Sequence, residues 1–348
     1  MVSRVAVVIG LAVWLVLPLG AGEAPVAPTG EAPEMLQELK AYKHKIVFET
    51  NRDGNWELYV MNADGSNPVN ITKTPDVDEM YAKASPDGPQ ICFTADEKKD
   101  GKKARNLFLM NTDGTNRTKI CDNAREPCWS ADGKCIAFLK GEYERYDAMD
   151  YVTKGIFIYD LKTAQTREHP NKKIAHLYCL NWSPDGNWFV ATVHAGASLG
   201  FKHAILALGA DNDKVFDLNL GGCRPDLSPD GKKIIWGHGD NAVGLADLEL
   251  TADTAKAKTL YNVVQSKKPM ETYHADWSPD GKYIAFSRGP EHEGKRVGLA
   301  PEIPSSNAPG WNICVADASQ KTRWVAITTD GKSNKEPDWI FVKGESGK

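Results

Sequence analysis

The chain has 348 residues, of which 41% are hydrophobic and 25% charged, with a formal net charge of −4. This mild acidity, spread along the chain, excludes the basic footprint of a nucleic-acid binder and gives no reason to expect an anionic membrane surface as partner. Composition alone leaves one large domain or two small ones open.

At the N-terminus, Met1 to Arg4 carry one positive charge ahead of an apolar run from Val5 to Leu19 that closes in Gly20, Ala21 and Gly22. That layout predicts a secretory signal peptide over residues 1–22, with the mature chain beginning between about residues 22 and 25. A membrane-spanning helix needs about 20 apolar residues, and the run is shorter. The expected location is periplasmic or secreted. No cysteine precedes Cys92, so a lipid-anchored cleavage site is not indicated. Residues 23–34 are rich in Pro, Ala, Gly and Glu, a composition that cannot bury a core, and residues 23–42 are read as linker and short N-terminal segment.

From there a repeat organises the chain. Ser-Pro-Asp-Gly stands at Ser85–Gly88, Ser183–Gly186, Ser228–Gly231 and Ser278–Gly281, and Ser130–Gly133 is the same unit with Ala131 for Pro, at spacings of 45 to 53 residues. That period is the size of one four-stranded propeller blade. Each copy follows a short segment ending in Trp129, Trp182, Trp277, Leu227 or Ala84, and precedes an apolar strand such as Cys135–Leu139 or Trp188–Val193. Pro sets φ at the second turn position, Asp suits the third and Gly supplies the left-handed fourth, as a hairpin requires. A third strand follows in each unit, for example Leu58–Met61, Leu107–Met110 and Ile156–Tyr159. Its Asp-Gly turns at Asp64-Gly65 and Asp113-Gly114 superficially resemble the start of a calcium loop but lack the Glu at the twelfth position.

The first unit, Lys45 to Thr72, lacks its first strand, and the missing strand stands at the other end of the chain. There Lys335-Glu336-Pro337-Asp338-Trp339 copies Arg125-Glu126-Pro127-Cys128-Trp129. The prediction is an all-β, six-bladed β-propeller of four-stranded blades over residues 43–343, its ring closed by pairing the C-terminal strand with blade one, and a tail at 344–348. Seven cysteines is an odd number, and most sit in apolar strands, so buried free thiols are the default. Cys128 with Cys135, flanking a tight turn, is the best candidate for a disulfide.

The unit Asn51-Arg52-Asp53-Gly54-Asn55, Glu57 to Met61, Asp64-Gly65 and Ile71-Thr72 resembles the propeller repeats of the TolB family, and the resemblance runs from about residue 43 to 343. TolB itself carries a sizeable α/β domain ahead of its propeller. Here only residues 35–44 lie between linker and first strand, so the resemblance implies the propeller and nothing of that domain's role.

Chemistry is harder to find. Gly196-Ala197-Ser198-Leu199-Gly200 matches the G-x-S-x-G nucleophile elbow, but it falls between two strands of blade four with no helix behind it, so no catalytic residue is expected. The eight histidines lack H-E-x-x-H spacing. His44, His169 and His292 read as solvent-exposed, and His176, His194, His238 and His274 as members of different blades that only ring closure could bring together. The recurring Trp residues read as wedges between blades rather than a sugar platform.

Long insertions fall at Asp96–Arg105, Gly141–Lys154, His194–His203 and Arg288–Gly310, all on the face opposite the Ser-Pro-Asp-Gly turns. Four residues upstream of each first turn stand Tyr81, Glu126, Cys179, Arg224, His274 and Glu336, a polar ring at the channel mouth. The bland reading is a solvated channel of mutually neutralising charges. The functional reading has Tyr81, Glu126, Arg224, His274 and Glu336 bind a polar ligand or partner loop, helped by Tyr143, Tyr146 and Tyr151. The reading as a whole is an exported, monomeric binding or protein-interaction scaffold without a cofactor, its partner a protein or a polar or carbohydrate ligand. The alternative is a carbohydrate-active, lyase-like or other metal-dependent propeller enzyme holding a divalent ion.

Overall fold

The computed structural model describes residues 32–99, 102–142, 152–194, 198–291, 303 and 306–343. The signal-peptide residues 1–22, most of the linker, the tail 344–348, and Tyr143, Tyr146 and Tyr151 lie outside the described residues. Among those described, no helix is long and apolar enough to cross a membrane.

Six four-stranded antiparallel sheets succeed one another in chain order. Their innermost strands are Asn334–Ile340 in blade one, then Asp78–Ala84, Ala124–Trp129, Leu177–Trp182, Cys223–Leu227 and Met270–Trp277 in blades two to six. Ring closure is as the copied C-terminal segment predicts. Asn334–Ile340 pairs with Lys45–Thr50, setting Trp339 opposite Ile46 and Ile340 opposite Lys45, so blade one takes strands from both ends of the chain.

Each repeat turn is held the same way. The serine hydroxyl accepts the N–H five residues on, at 2.9–3.1 Å in all five copies. The terminal glycine closes each turn at φ between 68° and 90°, where a side chain would be strained.

Among the described residues, six apolar clusters fill the seams between neighbouring blades, one in each, and a small seventh of Tyr273, Ala308 and Trp311 lies in blade six. In the seam of blades one and two, for example, Val47, Leu58 and Ile71 meet Ile91, Phe93 and Met110. The tryptophans wedge these seams: Trp129 is buried and its Nε1 donates to the Lys83 carbonyl of the preceding blade at 2.8 Å.

Three expectations are corrected. The turn Ser130–Lys134 sets Trp129 opposite Ile136 and therefore Cys128 opposite Ala137, while Cys135 faces Asp160, so Cys128 and Cys135 are not cross-strand partners and all seven cysteines are free thiols. Asp96–Arg105 is not a loop: strands Gln90–Lys99 and Lys102–Asn111 stay paired to their ends, because the fully buried Arg105 and Asp96 side chains form an ion pair at 2.8 Å inside the ribbon. The short N-terminal segment packs on the ring over residues 35–42. Helix Met35–Lys40 presents Met35 and Leu39, one turn apart, to the seam of blades six and one, and both are fully buried. Ala32 N donates to Trp324 O at 3.0 Å, Tyr42 Oη to Asp280 at 2.5 Å, and Glu38 pairs with Arg323, so the segment is pinned along its length. Finally, His44 and His169 are buried rather than exposed, each serving a backbone group: His44 Nδ1 accepts from Val342 N and His169 Nε2 donates to Gly209 O.

Candidate functional site

The innermost strand of every blade breaks register at the same place. In blade two, Tyr81 and Ala82 together face the single residue Phe93. The same two-to-one bulge sets Glu126-Pro127 against Phe138, Cys179-Leu180 against Ala191, Arg224-Pro225 against Trp236, His274-Ala275 against Phe286 and Glu336-Pro337 against Phe48. The first residue of each bulge is one of the six ring residues. All six have φ between 48° and 56°, the left-handed region that costs a non-glycine residue about 1 kcal/mol or more. Six repetitions of one strained conformation, none relieved by glycine, mark this layer as the part of the fold that aims side chains into the channel.

Five of the ring residues meet one another, in a group of three and a pair. Glu336 Oε1 receives His274 Nε2 at 2.9 Å and Arg224 Nη1 at 3.5 Å. The Arg224 guanidinium also lies over the Tyr178 and Tyr273 rings, at 5.7 and 6.0 Å. Glu126 Oε2 accepts the Cys179 N–H at 3.0 Å, and Tyr81 packs under Arg105. Burial alone would raise the Glu336 carboxyl, but the facing His274 and Arg224 outweigh it and hold it at about 2. Burial also lowers His274. Near neutral pH, therefore, Arg224 supplies the charge and His274 the hydrogen bond. Lys335, next in chain and fully buried, donates to the carbonyls of Ile303 and Ser306, tying the blade-six insertion to the strand that carries Glu336.

Two residues further along each strand lies a second tier: Lys83, Cys128, Asn181, Asp226, Asp276 and Asp338. Lys83 Nζ sits 2.5 Å from Asp276 and 3.2 Å from Asp338. Asp226 accepts Trp277 N at 2.8 Å and Asp338 accepts Ala84 N at 2.6 Å, each a bond to the next blade. Burial pushes Asp226 up to about 6 and Asp276 well above the usual carboxylate range, although Lys83 opposes both shifts. Between the tiers the channel narrows to a cavity of about 40 Å³, room for one or two waters. Sequence reasoning found the upper ring and missed this tier, although the same spacing rule, moved by two residues, locates it.

Among the described residues no group of three or more His, Cys, Asp or Glu is arranged to hold a metal ion. His176 and His194 belong to one blade rather than two, His194 N donating to His176 O. His194 Nδ1 meets His203 Nδ1 at 2.8 Å, His176 pairs with Glu142, and His238 with Asn262. Ser198–Gly200 is a single tight turn, with Leu199 at φ 55°; Gly196, Ala197 and His292 lie outside the described residues.

The architecture is that of a six-bladed propeller of the TolB kind. TolB from Acinetobacter baumannii superposes with a TM-score of 0.61 over 85% of this chain and 66% of that one, at 20% identity. A chain of the nidogen/laminin complex gives 0.58 over 86% and 98%, at 8% identity, and Kuenenia stuttgartiensis hydrazine synthase 0.55 over 89% and 48%, at 12%. In sequence, dipeptidyl-peptidase 5 of Porphyromonas gingivalis is 41% identical over 63 residues, 17% of this chain and 9% of that protein. The chain thus spans about two thirds of the TolB structure and about a tenth of the peptidase. No family model matches the chain.

Proposed function

We propose that the chain is an exported binding module that receives a partner protein, or a polar or carbohydrate ligand, on its insertion face over the channel mouth. The observation that carries this reading is the coincidence of two features at one end of the ring. The long connections between second and third strands leave blades three, four and six there, beside the protruding ribbon of blade two, and the first strands that bear the strained Arg224, His274 and Glu336 begin there. Binding residues concentrate on loops held by a rigid scaffold. The narrow channel leaves no room for a threaded ligand, so the partner contributes a side chain or loop tip that engages the Arg224–Glu336–His274 group from outside.

The reading is tested by recovering partners from an exported fraction with the wild-type chain, with a variant whose residues 291–306 are replaced by a short Gly-Ser turn, and with a variant substituted at Asp87 and Asp113 on the tight-turn face. Loss of the partner in the first variant and its retention in the second supports the assignment, and the reverse outcome overturns it. For a partner so identified, Arg224→Ala and His274→Ala each weaken binding by about 1 to 3 kcal/mol, the scale of a lost charged hydrogen bond. Because Arg224 also neutralises Glu336, the paired variant Arg224→Ala/Glu336→Gln separates binding from stability. A stoichiometric divalent ion in the purified protein would instead turn the reading toward a metal-dependent enzyme.

A further inference from the structure

Cys121 ends the outermost strand of blade two, Thr118–Cys121, and Lys140 lies near the end of the second strand of blade three, Cys135–Gly141. The two side chains meet across the seam, with Lys140 Nζ 2.8 Å from Cys121 Sγ. That is closer than the sulfur comes to its own hydrogen-bond acceptor, Asp122 O at 3.2 Å, although nitrogen is the larger partner atom. The amine is held in place from several sides. It donates to Asp122 O at 2.8 Å and lies over the rings of Phe138 and Phe157 at 5.8 and 5.9 Å. Both residues are half-buried, so small oxidants reach the pair while bulk solvent does not surround it. Neither group is used by the site described above.

We propose that Cys121 and Lys140 form an oxidative covalent cross-link, Sγ–O–Nζ, with dioxygen as the oxidant. The separation is one that a single bridging oxygen atom spans, and the amine is aimed at the sulfur before reaction. The step balances: thiol, amine and dioxygen give the S–O–N link and one water. The S–H bond, one N–H bond and the O=O bond break, and S–O, O–N and the O–H bonds of water form. Sulfur and nitrogen each give up two electrons, and dioxygen takes all four. The lysine ammonium first releases its extra proton to solvent. An oxidising compartment, expected for an exported chain, allows such a link to persist. It would join the last strand of blade two to blade three at the root of the insertion that begins after Gly141, a seam otherwise held by side-chain packing and hydrogen bonds.

The test is peptide mass mapping of the full chain under non-reducing conditions, after purification in air-saturated buffer and, in parallel, without oxygen. The expected result is a Cys121 peptide joined to a Lys140 peptide, heavier than their sum by about 14 Da for one oxygen gained and two hydrogens lost. Dithiothreitol should separate the two, and the oxygen-free preparation should lack the link. Lys140→Arg, which keeps the charge and the contact with Asp122, and Cys121→Ser should both abolish it. The proposal is overturned if Cys121 in the air-exposed wild type remains free and fully alkylated. It is equally overturned if Cys121 instead bears a sulfinic acid, joins another cysteine, or bonds Lys140 directly with a mass loss of about 2 Da.

Discussion

The two tiers of the channel are built from the same six strands, two residues apart, yet they solve opposite electrostatic problems. In the upper tier Glu336 is shared by Arg224 and His274, and its carboxyl is held down at about 2. In the lower tier one ammonium, Lys83, serves Asp276 and Asp338 directly and Asp226 at longer range, and burial wins over attraction for Asp226 and Asp276. In the upper tier Glu336 is matched by the Arg224 charge where a partner could approach. The lower tier carries excess acid where the ring must hold together, and there the carboxylates act chiefly as acceptors for N–H groups of the next blade. One backbone device, the left-handed bulge, thus yields a candidate contact surface at one depth and an inter-blade fastening at the next.

Removing the C-terminal strand breaks both tiers at once, since it carries Glu336 and Asp338. Truncation after Lys332 leaves Lys45–Thr50 without its inner neighbour and opens the seams on both sides of blade one. The expected outcome is loss of a cooperative thermal transition. A truncated chain melting like the whole one would show that the ring does not depend on this closure.

The next largest effect belongs to Lys83→Met. Taking away the one cation leaves largely buried carboxylates uncompensated, at a cost of about 3 to 5 kcal/mol by urea unfolding. Adding Asp276→Asn should recover part of the loss, a coupling that a double-mutant cycle measures directly. Purely additive losses would show that Lys83 acts through packing rather than charge.

The tiers also predict opposite responses to pH. For Asp226, raised from 3.8 to about 6, the folded state holds a proton that the unfolded state has released. Its contribution is therefore full below pH 3.8 and is lost as pH rises through about 6, an effect on the order of 2 to 3 kcal/mol. For Glu336 the sign reverses: its contribution is present above pH 4.5 and is lost as pH falls through about 2. Asp226→Asn should flatten the decline of stability between about pH 4 and 6 and leave the acid limb unchanged, as chemical denaturation across that range would reveal. A decline that persists in the variant would place the titration elsewhere.

The large-scale plan was open to reading because repetition states it several times over. Five turn copies and the duplicated Glu336–Trp339 segment specify six blades and their closure, and the ring positions follow from counting back four residues. What stayed hidden depends on partners distant in sequence. A left-handed φ at Tyr81 or Glu336 has no local mark, and only the aromatic facing five of the six bulges hints at it. His44 is buried because Val342 N needs an acceptor, 298 residues away in the chain. Asp96 and Arg105 looked like a polar loop because their bond to one another runs across a ribbon rather than along it. Cys128 missed Cys135 because a disulfide depends on register, and the turn sets Cys128 opposite Ala137, two residues from the position a bridge would need.

The smallest expected effect lies in the upper tier and sharpens the contrast between acceptor and charge. Glu126 is buried, and its Oε2 accepts the Cys179 N–H at 3.0 Å. A glutamine carbonyl can accept that bond equally well and relieves the cost of burying a charge. Glu126→Gln should accordingly change stability by less than about 1 kcal/mol. Glu126→Ala, which leaves the Cys179 N–H buried without its acceptor, should cost about 1 to 3 kcal/mol. If the glutamine variant loses as much as the alanine one, the negative charge itself is stabilising there. Glu126 would then belong with Glu336 as a charged partner in the ring, rather than with the carboxylates that hold one blade's backbone to another.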